Sequence, residues 1–267
     1  MVASLLLCFV ANTAWGELCR QWSQAAHVGD LQTQLQEASG VVASRQFPGR
    51  LYHINDSGSG GLFYITGMAG ENTQPVEIAG FKPEDTEGMS LGACPGSRTA
   101  CVYIGDIGDN DKTRRSIEVV VVEEMRNFPK TVQPKRRLSF TYPDGPHDAE
   151  SVAVRPDGAI LILTKERPAK LFQGQPNQPM LRSITTLDPG GLPTDMALSD
   201  DGTRLLVLTY TDAMEYSSDF KEQRKIRLSF LQQQESVTYL PGSRSFIYTT
   251  ERLLPGLPQW MMRVNCE

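Results

Sequence analysis

One pattern recurs five times along this chain: a short apolar strand, a tight turn containing glycine, and a second apolar strand. The copies span residues 39–56, 87–106, 150–165, 194–210 and 235–251, with their turns at Gly49, Gly96, Gly158, Gly202 and Gly242. Glycine supplies the backbone freedom such turns need, and the Pro or Asp that precedes it favours turn entry. The turn glycines are 47, 62, 44 and 40 residues apart, close to the roughly 40–50-residue period of four-stranded propeller blades. The 62-residue interval implies an insertion in the second repeat, and the polar stretch 109–115 is its expected place.

Weaker alternating segments fall between the hairpins and suit outer strands: 62–65, 117–122 and 171–172 as third strands, 76–78, 137–140 and 226–230 as fourth strands. Only residues 18–35 carry a hint of helical period. A β-sandwich does not call for five like hairpins, so the expected fold is all-β: a single five-bladed β-propeller of mostly four-stranded blades, with a six-bladed ring as the alternative. The last repeat ends one strand short after residues 260–264, and the segment following Cys19 is expected to supply that strand, so that the N- and C-terminal segments close the ring.

Residues 1–16 read as a signal peptide and 17–267 as the propeller domain. Residues 2–11 form an apolar run of secretory length, too short to span a membrane, and Ala14 and Gly16 place small residues where a signal peptidase cuts. No later stretch is apolar enough to span a bilayer. Beyond Cys8 in that leader, four cysteines remain, and an even count in an exported chain suggests disulfides rather than zinc. Cys94 and Cys101 flank a turn, which leaves Cys19 and Cys266 to join the two ends. The expected location is therefore secreted or periplasmic. A net charge of -5, with 26 Lys+Arg against 31 Asp+Glu and no long basic run, disfavours a nucleic-acid partner.

In a propeller the start of each inner strand and the end of the next strand open on the same face. Aligning the copies therefore gathers Ser39, Glu87, Glu150, Thr194 and Glu235 in one ring, and Asp56, Asp106, Lys165, Tyr210 and Glu251 in a second. Asn55, Asp85, Asp109, Asp148 and Asp195 lie beside them. Strands otherwise avoid Asp and Glu. Carboxylates converging on a narrow mouth repel unless a cation or proton intervenes. An oxygen-only donor set with few histidines suits Ca2+ or Mg2+, and the candidate metal ligands are Asp56, Glu87, Asp106, Glu150 and Glu235. Asn55, Asp85, Asp148, Tyr210 and Glu251 are further channel-mouth candidates. Turn residues Asp157, Asp200 and Asp201 are instead expected to bind backbone N–H groups. Lys165 either pairs with Glu150 or Asp106 or steadies a bound anion.

The runs Asn55-Asp56-Ser57-Gly58, Asp85-Thr86-Glu87-Gly88, Gly105-Asp106-Ile107-Gly108-Asp109-Asn110 and Asp148-Ala149-Glu150-Ser151, together with Lys165, resemble a group of secreted bacterial propeller proteins. The Asp-x-Glu-Gly element is similar to that of the calcium-binding SdiA-regulated propellers and, more distantly, the esterase-like and phytase-like ones. That resemblance, over residues 37–251, implies a propeller with a calcium-occupied acidic mouth. It departs at Thr194-Asp195, where a Glu is expected. Two functions follow as expectations. One is a monomeric binding module for a small molecule, glycan or protein. The other is a metal-dependent hydrolase of a phosphoester or lactone, with Asp106 or Glu150 as base and Lys165 steadying charge. No Gly-x-Ser-x-Gly or His-Glu-x-x-His motif is present.

Overall fold

The computed structural model describes residues 17–267 except 36, 57, 98, 229–231 and 252–257. Residues 1–16, expected as a signal peptide, lie outside the described residues, as does part of the expected strand 226–230. The chain forms β1 (Ala26–Asp30), then β2 (Ala38–Ala43), β3 (Leu51–Asn55), β4 (Leu62–Thr66) and β5 (Gln74–Ile78). Next come β6 (Thr86–Ala93), β7 (Ala100–Asp106), β8 (Ile117–Glu123), β9 (Thr131–Val132) and β10 (Arg136–Phe140). The third repeat gives β11 (Ala149–Val154), β12 (Ile160–Thr164), β13 (Ala169–Gln175) and β14 (Gln178–Leu187). The fourth gives β15 (Pro193–Leu198), β16 (Arg204–Thr209), β17 (Asp212–Ser217) and β18 (Gln223–Arg227), and the chain ends with β19 (Gln234–Tyr239), β20 (Ser245–Thr250) and β21 (Trp260–Asn265).

These strands make five sheets, antiparallel but for one added strand, and the protein is a five-bladed β-propeller. The six-bladed alternative is excluded. Each repeated hairpin forms the two innermost strands of one blade, and all five turn glycines take positive φ, between 68° and 86°. Inner strands β2, β11 and β19 are buried from end to end apart from Glu235 at the mouth. The apolar layers lie between adjacent blades; one, for example, packs Val42, Ile54 and Phe63 against Met89, Val102 and Val120.

The long second repeat holds two excursions rather than one. The β7–β8 loop contains the expected 109–115 segment. A second, between β8 and β10, sends β9 across to pair in parallel with β5, so the first blade gains a fifth strand. The segment with helical period contains strand β1 instead, because its apolar residues Leu31 and Leu35 are needed against the first and last blades, in one cluster with Val41 and Met261.

Ring closure follows the expected plan. β1 adds as the outermost strand of the last blade, in the order β1-β21-β20-β19. The disulfide Cys19–Cys266 joins the two ends across 247 residues of sequence, and Cys94–Cys101 clips the hairpin of β6 and β7. A crosslink over so long a loop restricts the unfolded chain strongly, by roughly 5 kcal/mol in a chain-entropy treatment. Polar bonds hold the same seam. Glu215, fully buried on β17, pairs with Arg204 Nη1 at 3.0 Å and accepts from Tyr239 Oη at 2.8 Å. Its other oxygen accepts from the Cys19 amide at 3.1 Å and the Trp22 indole N–H at 3.2 Å. One carboxylate thus fastens the N-terminal segment to two blades.

Replacing Glu215 by Ala strands Arg204, whose side chain is only 11% exposed. The expected cost is about 3–5 kcal/mol, read as a lowered urea midpoint. A loss below about 1 kcal/mol, the scale of an exposed pair, would show that the carboxylate does not fasten the seam.

Candidate functional site

Every inner strand carries a β-bulge at the same place. The register skips Ser39 between Ala38 and Gly40, Glu150 between Ala149 and Ser151, Thr194 between Pro193 and Asp195, and Glu235 between Gln234 and Ser236. In β6 it skips both Glu87 and Gly88, and Gly88 takes the positive φ of 75° that this wider bulge requires. The bulged residues are the ring positions. A flat strand would continue its alternation between the two neighbouring blades; the extra residue breaks that alternation at the mouth and gives each ring position its own orientation.

A cavity of about 100 Å3 opens at this mouth, walled by Ser39, Asp56, Glu87, Glu150, Lys165, Tyr210, Glu235 and Glu251, with Glu37 and Ala38. The far end of the channel is nearly shut, with about 20 Å3 of space among residues such as Val41, Leu91 and Val154. Asp85, outside the cavity wall, joins two of its residues: oxygens of Asp56, Asp85 and Glu87 lie within 4.8 Å of one another. On the other side Lys165 Nζ contacts Glu150 Oε1 at 2.8 Å and stands 5.9 Å from the centre of the Tyr210 ring.

Burial and crowding push these acids toward their neutral forms. Glu87 is held well above the ordinary carboxylate range by burial, reinforced by Glu150, Asp56 and Asp85. Asp85 is raised to about 7 by burial and by its hydrogen bond and charge contact with Asp56. Glu235 rises to about 9, through burial first and then the charge and hydrogen bond of Glu251. Glu150 rises to about 7 through burial, which outweighs the opposing pull of Lys165. For Lys165, burial is outweighed by Glu150 and Tyr210, so the ammonium is retained.

Other sequence candidates stand outside the cavity wall, each engaged as a brace. Asp106, expected as a ligand or base, meets Arg114 through both carboxylate oxygens at 3.0 Å and accepts the amides of Glu84 and Asp85. Asp148 accepts the Asp109 amide at 2.8 Å, and Asp109 accepts the amides of Thr113 and Arg114. Asn55 donates to the Gln34 carbonyl at 2.9 Å. Asp195 ties three blades together by accepting from Ser151 Oγ, Met196 N and Val237 N at 2.7–2.8 Å. The Gly-Asp-Ile-Gly-Asp-Asn run therefore builds a rigid loop. Its Gly108 passes so near Asp85 that an added Cβ would lie 2.4 Å from Asp85 Oδ2, while Asn110 donates to that oxygen at 3.3 Å. Arg114, which locks this loop, went unnoticed in the sequence because nothing marks it apart from other loop arginines.

Turn residues Asp157 and Asp201 accept backbone amides as expected. Asp200 does more, accepting the Gly242 amide of the next blade and pairing with Arg45 at 2.7 Å. His53 is fully buried inside the first blade, against Thr66, and His147 sits between Asp144 and Glu166; neither lines the mouth.

No protein-family model matches the sequence, and no curated protein matches it. Among solved structures it is similar to other propellers. A streptogramin B lyase superposes with a TM-score of 0.52 at 9% identity, covering 94% of this chain and all 100% of that one. A nidogen/laminin complex gives 0.51 at 14% identity over 81% of this chain and 73% of that one. The Xanthomonas campestris gluconolactonase XC5397 gives 0.50 at 14% over 85% and 72%. At these identities the likeness is one of fold: the chain has β-propeller architecture.

Raised carboxyl groups tie stability to pH. With no cation present, Glu235 stays protonated in the folded state up to about 9, whereas its unfolded value is the ordinary 4.5. Between those values the folded state binds the extra proton, so the contribution is complete below about 4.5 and is lost as pH rises through 9. Thermal melts in chelator are expected to show a falling midpoint from pH 5 to pH 9. The fall should be shallower in Glu235→Gln; parallel profiles would contradict the assignment.

Proposed function

We propose that the protein is an exported, cation-dependent binding module whose ligand docks on the acidic mouth of the propeller. The observation that carries this reading is the approach of Asp56, Asp85 and Glu87 to within 4.8 Å. Two oxygens on one calcium ion, each at 2.3–2.6 Å, are separated by at most about 5 Å, so the three carboxylates match a shared Ca2+ as they stand. Ionised together without a cation, they would be buried like charges, which is the arrangement that raises Asp85 and Glu87. The resemblance of the Asp-x-Glu-Gly element to calcium-binding propellers points the same way.

The residues around the ion set what can bind. Asp85 is held by the rigid 105–110 loop, and Glu87 by its bulge, so the donors are arranged before the ion arrives. One divalent charge leaves the mouth negative, since Glu150 is paired with Lys165 and the hydrogen-bonded Glu235–Glu251 pair, which holds one proton, still carries a charge. That balance favours a neutral polyol or an amine-bearing group over a phosphate. A pocket for a whole drug-sized ligand typically offers about 300–1,000 Å3, so a space of about 100 Å3 admits an ion and the tip of a larger partner. Export is supported by the two disulfides, which persist in oxidising compartments, and by the leader-like residues 1–16.

A second reading rests on Glu150, whose value of about 7 suits a general base. Beside a cation that lowers the pKa of water, Glu150 would take the proton from the attacking water in hydrolysis of a lactone or phosphoester. Among the neighbours in fold are a lyase and a gluconolactonase as well as the nidogen/laminin complex, so the architecture accommodates both readings.

Calorimetric titration of chelator-treated protein, purified after export and checked by peptide mapping for a start near Glu17, tests the first reading. One Ca2+ is expected to bind, more tightly than Mg2+, with at least tenfold loss in Asp56→Asn and in Glu87→Gln. Absence of binding by the unaltered protein would refute it. Turnover of a lactone or phosphoester lost in Glu150→Gln would select the second.

A further inference from the structure

We propose that Lys165 is a tethered cation that fills the second half of the acidic mouth, limiting the site to one metal ion. This rests on the cation reading given above. The cavity has two unequal sides. Asp56, Asp85 and Glu87 form the only carboxylate group close enough to share an ion among the described residues. Across from them stand Glu150, Glu235 and Glu251, and the charge within that set is the Lys165 ammonium, 2.8 Å from Glu150.

The repeat explains why a lysine lies there. Three of the five bulged ring positions are glutamates, but the fourth blade carries Thr194 there and Tyr210 at its exit, so it brings no carboxylate. Thr194 is 1% exposed, and its hydroxyl has no hydrogen-bond partner among the described residues. Lys165, at the exit of the preceding blade, reaches to the Tyr210 ring of the fourth blade on the wall of the same cavity. Its charge favours the ionised forms of Glu87, Glu150 and Glu235 alike, as an ion placed among them would. An ammonium is a compact point charge on a flexible stem. It can therefore stand in for a metal ion while carrying one charge instead of two. With Lys165 removed, Glu150, Glu235 and Glu251 are three oxygen-donor side chains on one cavity with no internal cation.

The test counts bound calcium by equilibrium dialysis and elemental analysis at neutral pH, with circular dichroism confirming the fold. Wild type is expected to hold one ion per chain, Lys165→Met and Lys165→Gln two, and Lys165→Arg one, because arginine restores the charge. Adding Glu235→Gln to Lys165→Met should return the count to one. One ion in wild type and still one in both neutral variants overturns the tethered-cation role while leaving the first site standing. None in wild type but one in the neutral variants shows that Lys165 alone fills the mouth and overturns the first site. None in any variant removes both.

Discussion

Five inner strands converge on one axis, and whatever each carries at its upper end must share a space of about 100 Å3. That convergence is the constraint from which the rest of the molecule follows. It fixes the apolar character of the inner strands, since each is packed between two neighbouring blades. It also makes the mouth costly to fill with like charges, because carboxylates brought together out of water repel and shift toward neutrality. The mouth nevertheless holds Asp56, Glu87, Glu150, Glu235 and Glu251 against a single lysine. Of these, Glu87, Glu150 and Glu235 are raised, the kind of perturbation that marks functional sites.

Convergence needs a closed ring. Here closure is shared between the β1–β21 pairing, the Cys19–Cys266 bond and the four-way contacts of Glu215. Nearer the axis, Asp195 links the inner strands of the third, fourth and fifth blades. Together these contacts hold the five bulges in position. Rigidity at the mouth has a local source as well, in the loop braced by Arg114 and Asp109 behind Asp85.

Much of this was legible in the sequence because turn glycines and period-two strands report local backbone geometry directly. The five hairpins, the Cys94–Cys101 clip and the two polar rings rest on such local signals, while the closing strand and the Cys19–Cys266 bond follow from the strand and the cysteines left over. The roles within the rings do not. Asp56 and Asp106 occupy equivalent positions in neighbouring repeats, yet one faces the cavity and the other is held by Arg114, a residue eight positions further on. Asp85, just outside β6 and two residues before a ring position, joins the cluster, held by the Ile107 and Gly108 amides on its carbonyl and by Asn110 on its carboxylate. Bulges leave no sequence signature beyond Gly88, and a loop brace depends on three-dimensional neighbours. The pairing of Lys165 with Glu150 was one of three open options that only the side-chain geometry could separate.

The most direct measurement is a crystal structure of the exported protein grown with calcium, with anomalous scattering collected to locate the ion. The account predicts one peak in contact with Asp56, Asp85 and Glu87, with Lys165 still on Glu150. A mouth without an anomalous peak at saturating calcium, with those carboxyls paired through shared protons, would contradict it.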